Sequence, residues 1–342
     1  MRLGMPLGYA GPIKQAADQA AELERAGLDI IWVAEAYGFD APSQMGYLAA
    51  KTEQVQIGSG ILPIYSRTPA LLAQTAAGID ALSEGRMILG LGASGPQVIE
   101  GWHGVAYDRP LARTREIIDI CRRVWRREVL TNDGLYPLPL PAGPGSGLGK
   151  PLKLITHPVR ATIPIWVAAL GPKNVQMAAE VADGWMPTLF IPERADVVWG
   201  EALAKGTNGR PAGLAPLEVC AGGLAAVGDD VEGLRDLARP MVALYLGGMG
   251  ARGQNFYHAL AQRYGFEAAA EEVQDLYLAG KKTEAAAAVP AELLEKTSLI
   301  GPAGYVQDRI AAFKQAGVTV LNIIPLDPEP ARLIVQFKEW IS

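Results

Sequence analysis

Three side chains in the first third of the chain have types suited to moving a proton: Glu35, Glu100 and His103. A carboxylate or an imidazole acts as a general acid or base when it lies within hydrogen-bond reach of a reacting atom. Each also has a plainer alternative. Glu35 can be a surface carboxylate, Glu100 can solvate its own loop, and His103 can be a loop histidine that is exposed or bonded to backbone. No nucleophile is built around them. The chain contains no G-x-S-x-G elbow, no H-E-x-x-H and no clustered metal ligands, and its three histidines, His103, His157 and His258, are scattered. Hydrolase and metalloenzyme chemistry are poor fits, and no metal is expected. Cys121 and Cys220 sit far apart in apolar-periodic stretches and read as buried small hydrophobes rather than a disulfide or a ligand pair.

In place of ionisable groups the sequence offers short strings of small residues: Ser59-Gly60-Ile61, Ser94-Gly95-Pro96-Gln97 and Ala168-Ala169-Leu170-Gly171-Pro172. Small residues let the main chain approach a flat ligand, and a helix opening at Pro172 would present N–H groups to an anion. Such strings suit a large planar cofactor with an anionic tail. Gly90, Gly92 and Gly95 also spell G-x-G-x-x-G, the fingerprint of dinucleotide-binding open sheets. That fingerprint follows the first strand and opens a helix directly. Here the strand is the fourth, and Pro96, Gly101 and Gly104 are expected to prolong a loop, which favours glycines that merely permit a tight turn.

These residues need elements to hold them. Residues 12–26 read as a helix with Ile13, Ala16, Ala17, Ala20 and Leu23 on one face, and Gly27 is its expected left-handed terminator. Thr68 and Pro69 form an N-cap and first-turn pair before a helix that turns Leu72, Thr75, Ala76, Ile79 and Leu82 inward. Another helix starts near Pro110, with Leu111, Thr114, Ile118, Cys121 and Trp125 recurring at three to four residue spacing. Eight strand-like runs begin near residues 2, 29, 55, 87, 164, 183, 217 and 318, each followed by helical sequence. Parallel strands need such crossovers, so the expected architecture is an α/β fold, a closed (β/α)8 TIM barrel forming one domain over residues 1–342. Two insertions interrupt it, a Pro- and Gly-rich loop at about 131–163 and a helical excursion at about 233–297. The plan of residues 21–31 echoes that of 312–321, as repeated βα units would. A barrel works at the C-terminal ends of its strands, and that rule gathers Glu35 and Tyr37, Ser59 to Ile61, residues 93–97, residues 168–172 and residues 186–188 on one rim.

Composition narrows the partners. The chain is 49% hydrophobic and 20% charged, with a formal net charge of -5 and a pI near 5.4. It lacks the basic footprint that nucleic acid or anionic lipid requires. Arg2 follows Met1 directly, without the apolar core of a signal peptide, and no apolar run approaches a membrane span. A soluble, cytoplasmic protein is expected.

The segment from Ser94 through Gly95, Pro96, Gln97, Glu100, Trp102 and His103 to Gly104 resembles the corresponding loop of luciferase-like oxidoreductases that use coenzyme F420, including relatives of methylenetetrahydromethanopterin reductase. Ser59-Gly60-Ile61-Leu62-Pro63 resembles that family's strand-three bulge, and Ala168-Ala169-Leu170-Gly171-Pro172-Lys173 resembles its strand-five loop. The likeness runs in the same order over nearly the whole chain. It implies a luciferase-like barrel that transfers a hydride between the deazaflavin F420 and a small organic substrate, and a homodimer. It implies a cis Gly60–Ile61 peptide, beside Ser59, backing the ring. Ser94, Gly95, Pro96 and Gln97 would touch the ring or its side chain. Ala168, Ala169, Leu170, Gly171 and Pro172 would border the ribityl and phosphate end, Glu35 would stand near the cofactor, and Tyr37, Trp102 and His103 would line the substrate pocket. Family members that oxidise sugar phosphates carry a histidine soon after strand two; Ala36 stands there instead, which argues against that substrate class. Two other readings stay open: an FMN-dependent monooxygenase on the same barrel, and a barrel that holds a flavin or deazaflavin without turnover.

Overall fold

The computed structural model describes residues 1–8 and 12–342. The chain alternates β1 (Arg2–Pro6), α1 (Ile13–Arg25), β2 (Ile30–Val33), α2 (Ala41–Lys51), β3 (Gln56–Ser59), a two-residue continuation β4 (Leu62–Pro63), α3 (Pro69–Leu82) and β5 (Met87–Gly92). After α4 (Pro96–Gly101) and α5 (Pro110–Trp125) come β6 (Ile165–Ala168), α6 (Pro172–Val181), β7 (Gly184–Met186), α7 (Glu201–Asn208) and β8 (Glu218–Val227). A run of helices follows, with α8 (Arg239–Ala243), α9 (Phe256–Arg263), α10 (Glu267–Leu278), α11 (Lys282–Ala287) and α12 (Ala291–Lys296). The chain ends with β9 (Leu299–Gly301), α13 (Ala303–Gln315), β10 (Val320–Pro325) and α14 (Pro330–Ile341).

Among the described residues every pairing between these strands is parallel, and the order β10-β1-β2-β3-β5-β6-β7-β8 closes because β8 also pairs β10. The result is the expected eight-stranded barrel. Local chemistry explains its joints. Gly27, at φ +101, ends α1 with the Gly27 N–H on Glu24 C=O and the Leu28 N–H on Leu23 C=O; the left-handed conformation costs glycine nothing because it has no Cβ to clash. The Thr68 hydroxyl caps α3 by accepting from Leu71 N–H.

Three expectations are corrected. Leu82 is 65% exposed while Ser83 is fully buried; at 100° per residue Leu82 lies about 80° from Leu72 and Ser83 only about 20°, so the serine keeps the inward face. The glycine fingerprint does open a helix, since Gly95 caps α4 and Pro96 occupies its first turn, a position where proline's missing N–H leaves nothing unpaired. That helix lasts six residues, and closure of the sheet excludes the open-sheet alternative. The third is β9, a strand at the end of the helical stretch that pairs β8 and stands outside the closed ring. Between α5 and β6 the 131–163 stretch forms no helix or strand, only the Leu130–Leu152 and Asn132–Leu138 bridges.

Inside the barrel, Ile30, Trp32, Ile88, Trp166, Cys220 and Val320 form a core of their own. The two indoles meet at 5.4 Å between ring centroids. They fit because Gly58 and Gly184 have no side chain: a Cβ there would come within 2.3 Å and 2.1 Å of Trp32 and Trp166 ring atoms. Beneath them Arg2 stacks on Trp166 and hydrogen-bonds Gln56 and Glu218. The N-terminal half of the barrel is thus plugged, and the indoles form a floor.

Candidate functional site

Above that floor the interior opens. Gly60, Ile61, Ser94, Ala168 and Met186 are all partly exposed, although they belong to barrel strands or the turns leaving them. The bulge between β3 and β4 shapes one wall. The Ser59 hydroxyl accepts from Gly90 N–H and donates to Gly90 C=O, both at 2.8 Å, replacing ladder bonds where β3 parts from β5. A Cβ on Gly90 would fall 1.8 Å from Ser59 O, so only glycine permits this approach. The Ser59 side chain is fully buried and spent on this link; its main chain alone faces the bulge. The Gly60–Ile61 peptide is cis, as expected. Ile61 then reaches over Gly92, where a Cβ would stand 2.9 Å from Ile61 Cδ1 and 3.6 Å from Ala168 Cβ; a Cβ on Gly60 would lie 3.9 Å from Met186 Cε. Gly60, Ile61, Ala168 and Met186 therefore gather around the buried Gly92 at this end of the barrel.

The loop after β5 forms the next side. Ser94 has φ 57 and its carbonyl accepts from Tyr107 OH at 3.3 Å. The Gly95 carbonyl takes the Val98 and Ile99 N–H groups, and Gln97 is exposed. Glu100 is exposed as well, and its Oε1 accepts from Tyr107 N–H at 3.0 Å, so it braces its own loop. His103 is half-buried; its N–H donates to Val98 C=O at 3.2 Å, and its Nε2 is buried without a partner among the described residues. Tyr65 donates to Asp108 C=O and packs on Tyr107, which ties the bulge to this loop. Burial pushes both phenols above their ordinary pKa, so they stay protonated donors. Trp102 and Tyr37 stand out at the rim, 66% and 68% exposed.

The loop after β6 is held by donors that the sequence did not reveal. Trp185 Nε1 donates to Ala169 C=O at 2.9 Å, and Trp199 Nε1 donates to Leu170 C=O at 3.0 Å. Arg263 of α9 reaches the same Leu170 carbonyl at 3.5 Å. These groups come from β7, from a π-helical turn at Asp196–Gly200 and from the helical stretch; no spacing in the sequence links them. The loop ends at Gly171, which caps α6 with extended backbone and no side-chain partner, so Pro172 opens the helix toward the rim.

Glu35 is not a surface carboxylate. Its oxygens receive both terminal nitrogens of Arg67, at 2.5 and 2.8 Å, and Oε2 also accepts Ala41 N–H at 2.9 Å. Glu35 is 6% exposed and Arg67 14%. A bidentate pair of this kind is geometrically demanding, and it pins the loop bearing Tyr37 to the segment after β4. Among the described residues no hydrogen bond joins Glu35, Glu100 and His103, and no group of three or more His, Cys, Asp or Glu side chains could hold a metal.

The family description that fits this barrel is the luciferase-like monooxygenase, whose model matches residues 1–320. The chain belongs to that family. Among luciferase-like relatives, a Mycobacterium tuberculosis protein provisionally named a coenzyme F420-dependent oxidoreductase is 41% identical over 338 residues, covering 97% of each chain. A 5,10-methylenetetrahydromethanopterin reductase of Archaeoglobus fulgidus is 29% identical over 323 residues, covering 91% of this chain and 90% of its own. In fold, the luciferase-like barrel superposes with a TM-score of 0.78 on the coenzyme F420 dependent tetrahydromethanopterin reductase of Methanopyrus kandleri, at 20% identity and over 98% and 96% of the two chains.

Proposed function

We propose that this oxidoreductase transfers a hydride between coenzyme F420 and a small organic substrate inside the barrel mouth. The observation that carries the reading is the cluster of partly exposed, largely apolar residues at the strand ends above Trp32 and Trp166, formed by Gly60, Ile61, Ala168 and Met186. Its ionisable neighbours are engaged elsewhere, Glu35 with Arg67 and Glu100 with its own loop. With both carboxylates engaged and only His103 Nε2 left without a partner among the described residues, the site suits chemistry brought by a cofactor. A bound deazaflavin would supply a two-electron hydride carrier in place of the oxygen-reactive flavin nitrogen.

The chain's residues fit that group. The main chain at Gly60 and Ile61 would back the ring, and Ser94, Gly95, Pro96 and Gln97 would border it. Gly171 and Pro172 would turn the start of α6 toward the anionic tail, where helix N–H groups favour negative charge. Lys173 and Arg263 lie beside that end, and neither has a carboxylate partner among the described residues. Trp185 and Trp199 would keep the loop from moving as the tail seats. The indole floor would exclude water from below, which holds reactants at near-attack distance without solvent between them. Tyr37, Trp102 and His103 would line the substrate side. This reading keeps the cytoplasmic location expected from the sequence and the homodimer implied by the family likeness. No helix among the described residues is long and apolar enough to cross a membrane.

Fluorescence titration with F420 and FMN side by side tests the assignment. The expected outcome is F420 binding at least about tenfold tighter, about 1.4 kcal/mol. Tighter FMN binding with substrate-dependent oxygen uptake would establish the monooxygenase alternative instead. A bound cofactor whose spectrum no enone, imine or alcohol changes would point to a barrel without turnover.

A further inference from the structure

Asn322 is the polar side chain that the mouth chemistry leaves unexplained. It lies in β10 between Val320 and Ile324, and strand alternation gives it the inward direction of Val320, a member of the barrel's inner core. Its Oδ1 is buried with no partner among the described residues, and so is Trp32 Nε1. The two converge beside Gly4, where a Cβ would stand 2.9 Å from Trp32 Nε1 and 3.3 Å from Asn322 Oδ1. An indole N–H only donates, so the oxygen end of the amide belongs toward it. The amide NH2 is then turned away from the indole. Asn322 is partly exposed although Val320, Leu321 and Ile323 around it are fully buried.

Strand order gives the direction it faces. Around the closed ring, β5 is four strands from β10 by either route, through β1, β2 and β3 or through β8, β7 and β6. Asn322 therefore faces β5, the strand that carries Gly90 and Gly92, across the barrel interior. A flat ring backed by the Gly60–Ile61 main chain would have its free face toward the opposite side of the barrel.

We infer that Asn322 is a specificity-determining residue whose amide NH2 hydrogen-bonds an oxygen of the substrate, a carbonyl or the hydroxyl related to it by hydride transfer. The inference rests on the hydride-transfer reading above. A neutral amide donor orients such an oxygen without titrating, and a site built to bond an oxygen rejects an analogue lacking it because its buried polar group is left unpaired.

The test uses two probes of one shape, cyclohexanone and methylenecyclohexane, binding to the F420-loaded protein and read by deazaflavin fluorescence. The wild type is expected to bind the ketone about tenfold tighter, the size of one satisfied hydrogen bond. Asn322→Leu should erase that preference while F420 affinity stays within about twofold. Asn322→Ser, which keeps a donor in a smaller side chain, should retain part of the preference and guards against misfolding of the leucine variant. A ketone preference that survives Asn322→Leu with unchanged F420 binding, or no preference in the wild type, overturns the inference. Failure of the wild type to bind F420 overturns the hydride-transfer reading itself, and the two failures are read in separate titrations.

Discussion

Glu35 shows how a residue's type can be legible while its job is not. A carboxylate just after β2 is easily placed at the rim from sequence, but its partner Arg67 lies 32 positions on, beyond a bulge. Removing either member leaves a mostly buried opposite charge, which costs about 3 to 5 kcal/mol where burial is complete and less where water still reaches the pair. Glu35→Ala and Arg67→Ala are each expected to lower unfolding free energy by about 2 to 3 kcal/mol, and the double variant by clearly less than the sum. Urea denaturation of the four proteins measures this. Full additivity, or loss of turnover at unchanged stability, would assign the carboxylate to catalysis instead. Ser59 makes the same point more sharply: the sequence marks the bulge, yet only the fold shows that the hydroxyl is spent on Gly90.

At the level of elements, helix ends and strand starts were readable because caps and periodicity are local, as at Gly27 and Thr68. The 131–163 insertion was readable only as irregular. What tethers it is Glu116 of α5, which accepts the Leu135 and Tyr136 N–H groups at 2.8 Å and the Asn132 amide at 2.5 Å. Burial alone would raise the Glu116 pKa, but these donors outweigh it and the net shift is downward. A carboxyl whose folded pKa is lowered contributes stability that is complete above its unfolded value, about 4.3, and is lost as pH falls through the folded value. Amide exchange at residues 132–138 should therefore be slow at neutral pH and accelerate only below about pH 4. In Glu116→Gln it should be fast already at neutral pH, by about tenfold or more. Equal exchange in both proteins at pH 7 would remove the tether.

For the molecule as a whole, closure of the sheet divides the interior into a plugged half and an open one. The dividing layer is the Trp32–Trp166 pair seated on Gly58 and Gly184. Gly184→Ala would set a methyl group against the Trp166 ring and is expected to cost about 1 to 3 kcal/mol through overpacking, and the displaced indoles should weaken F420 binding as well. Thermal unfolding and the same fluorescence titration report the two effects. An alanine variant as stable as the wild type would mean that the floor is loosely packed.

The sequence by itself determined the order of strands and helices, the barrel class, the rim on which function would sit and the glycine strings that shape it, because periodicity, capping and strand-end position are properties of neighbouring residues. Tertiary structure alone decided that Glu35 is bound to Arg67 and that Trp185, Trp199 and Arg263 hold the loop after β6. Those pairings join residues far apart in the chain. They are fixed by which side chains the closed barrel brings within hydrogen-bond distance.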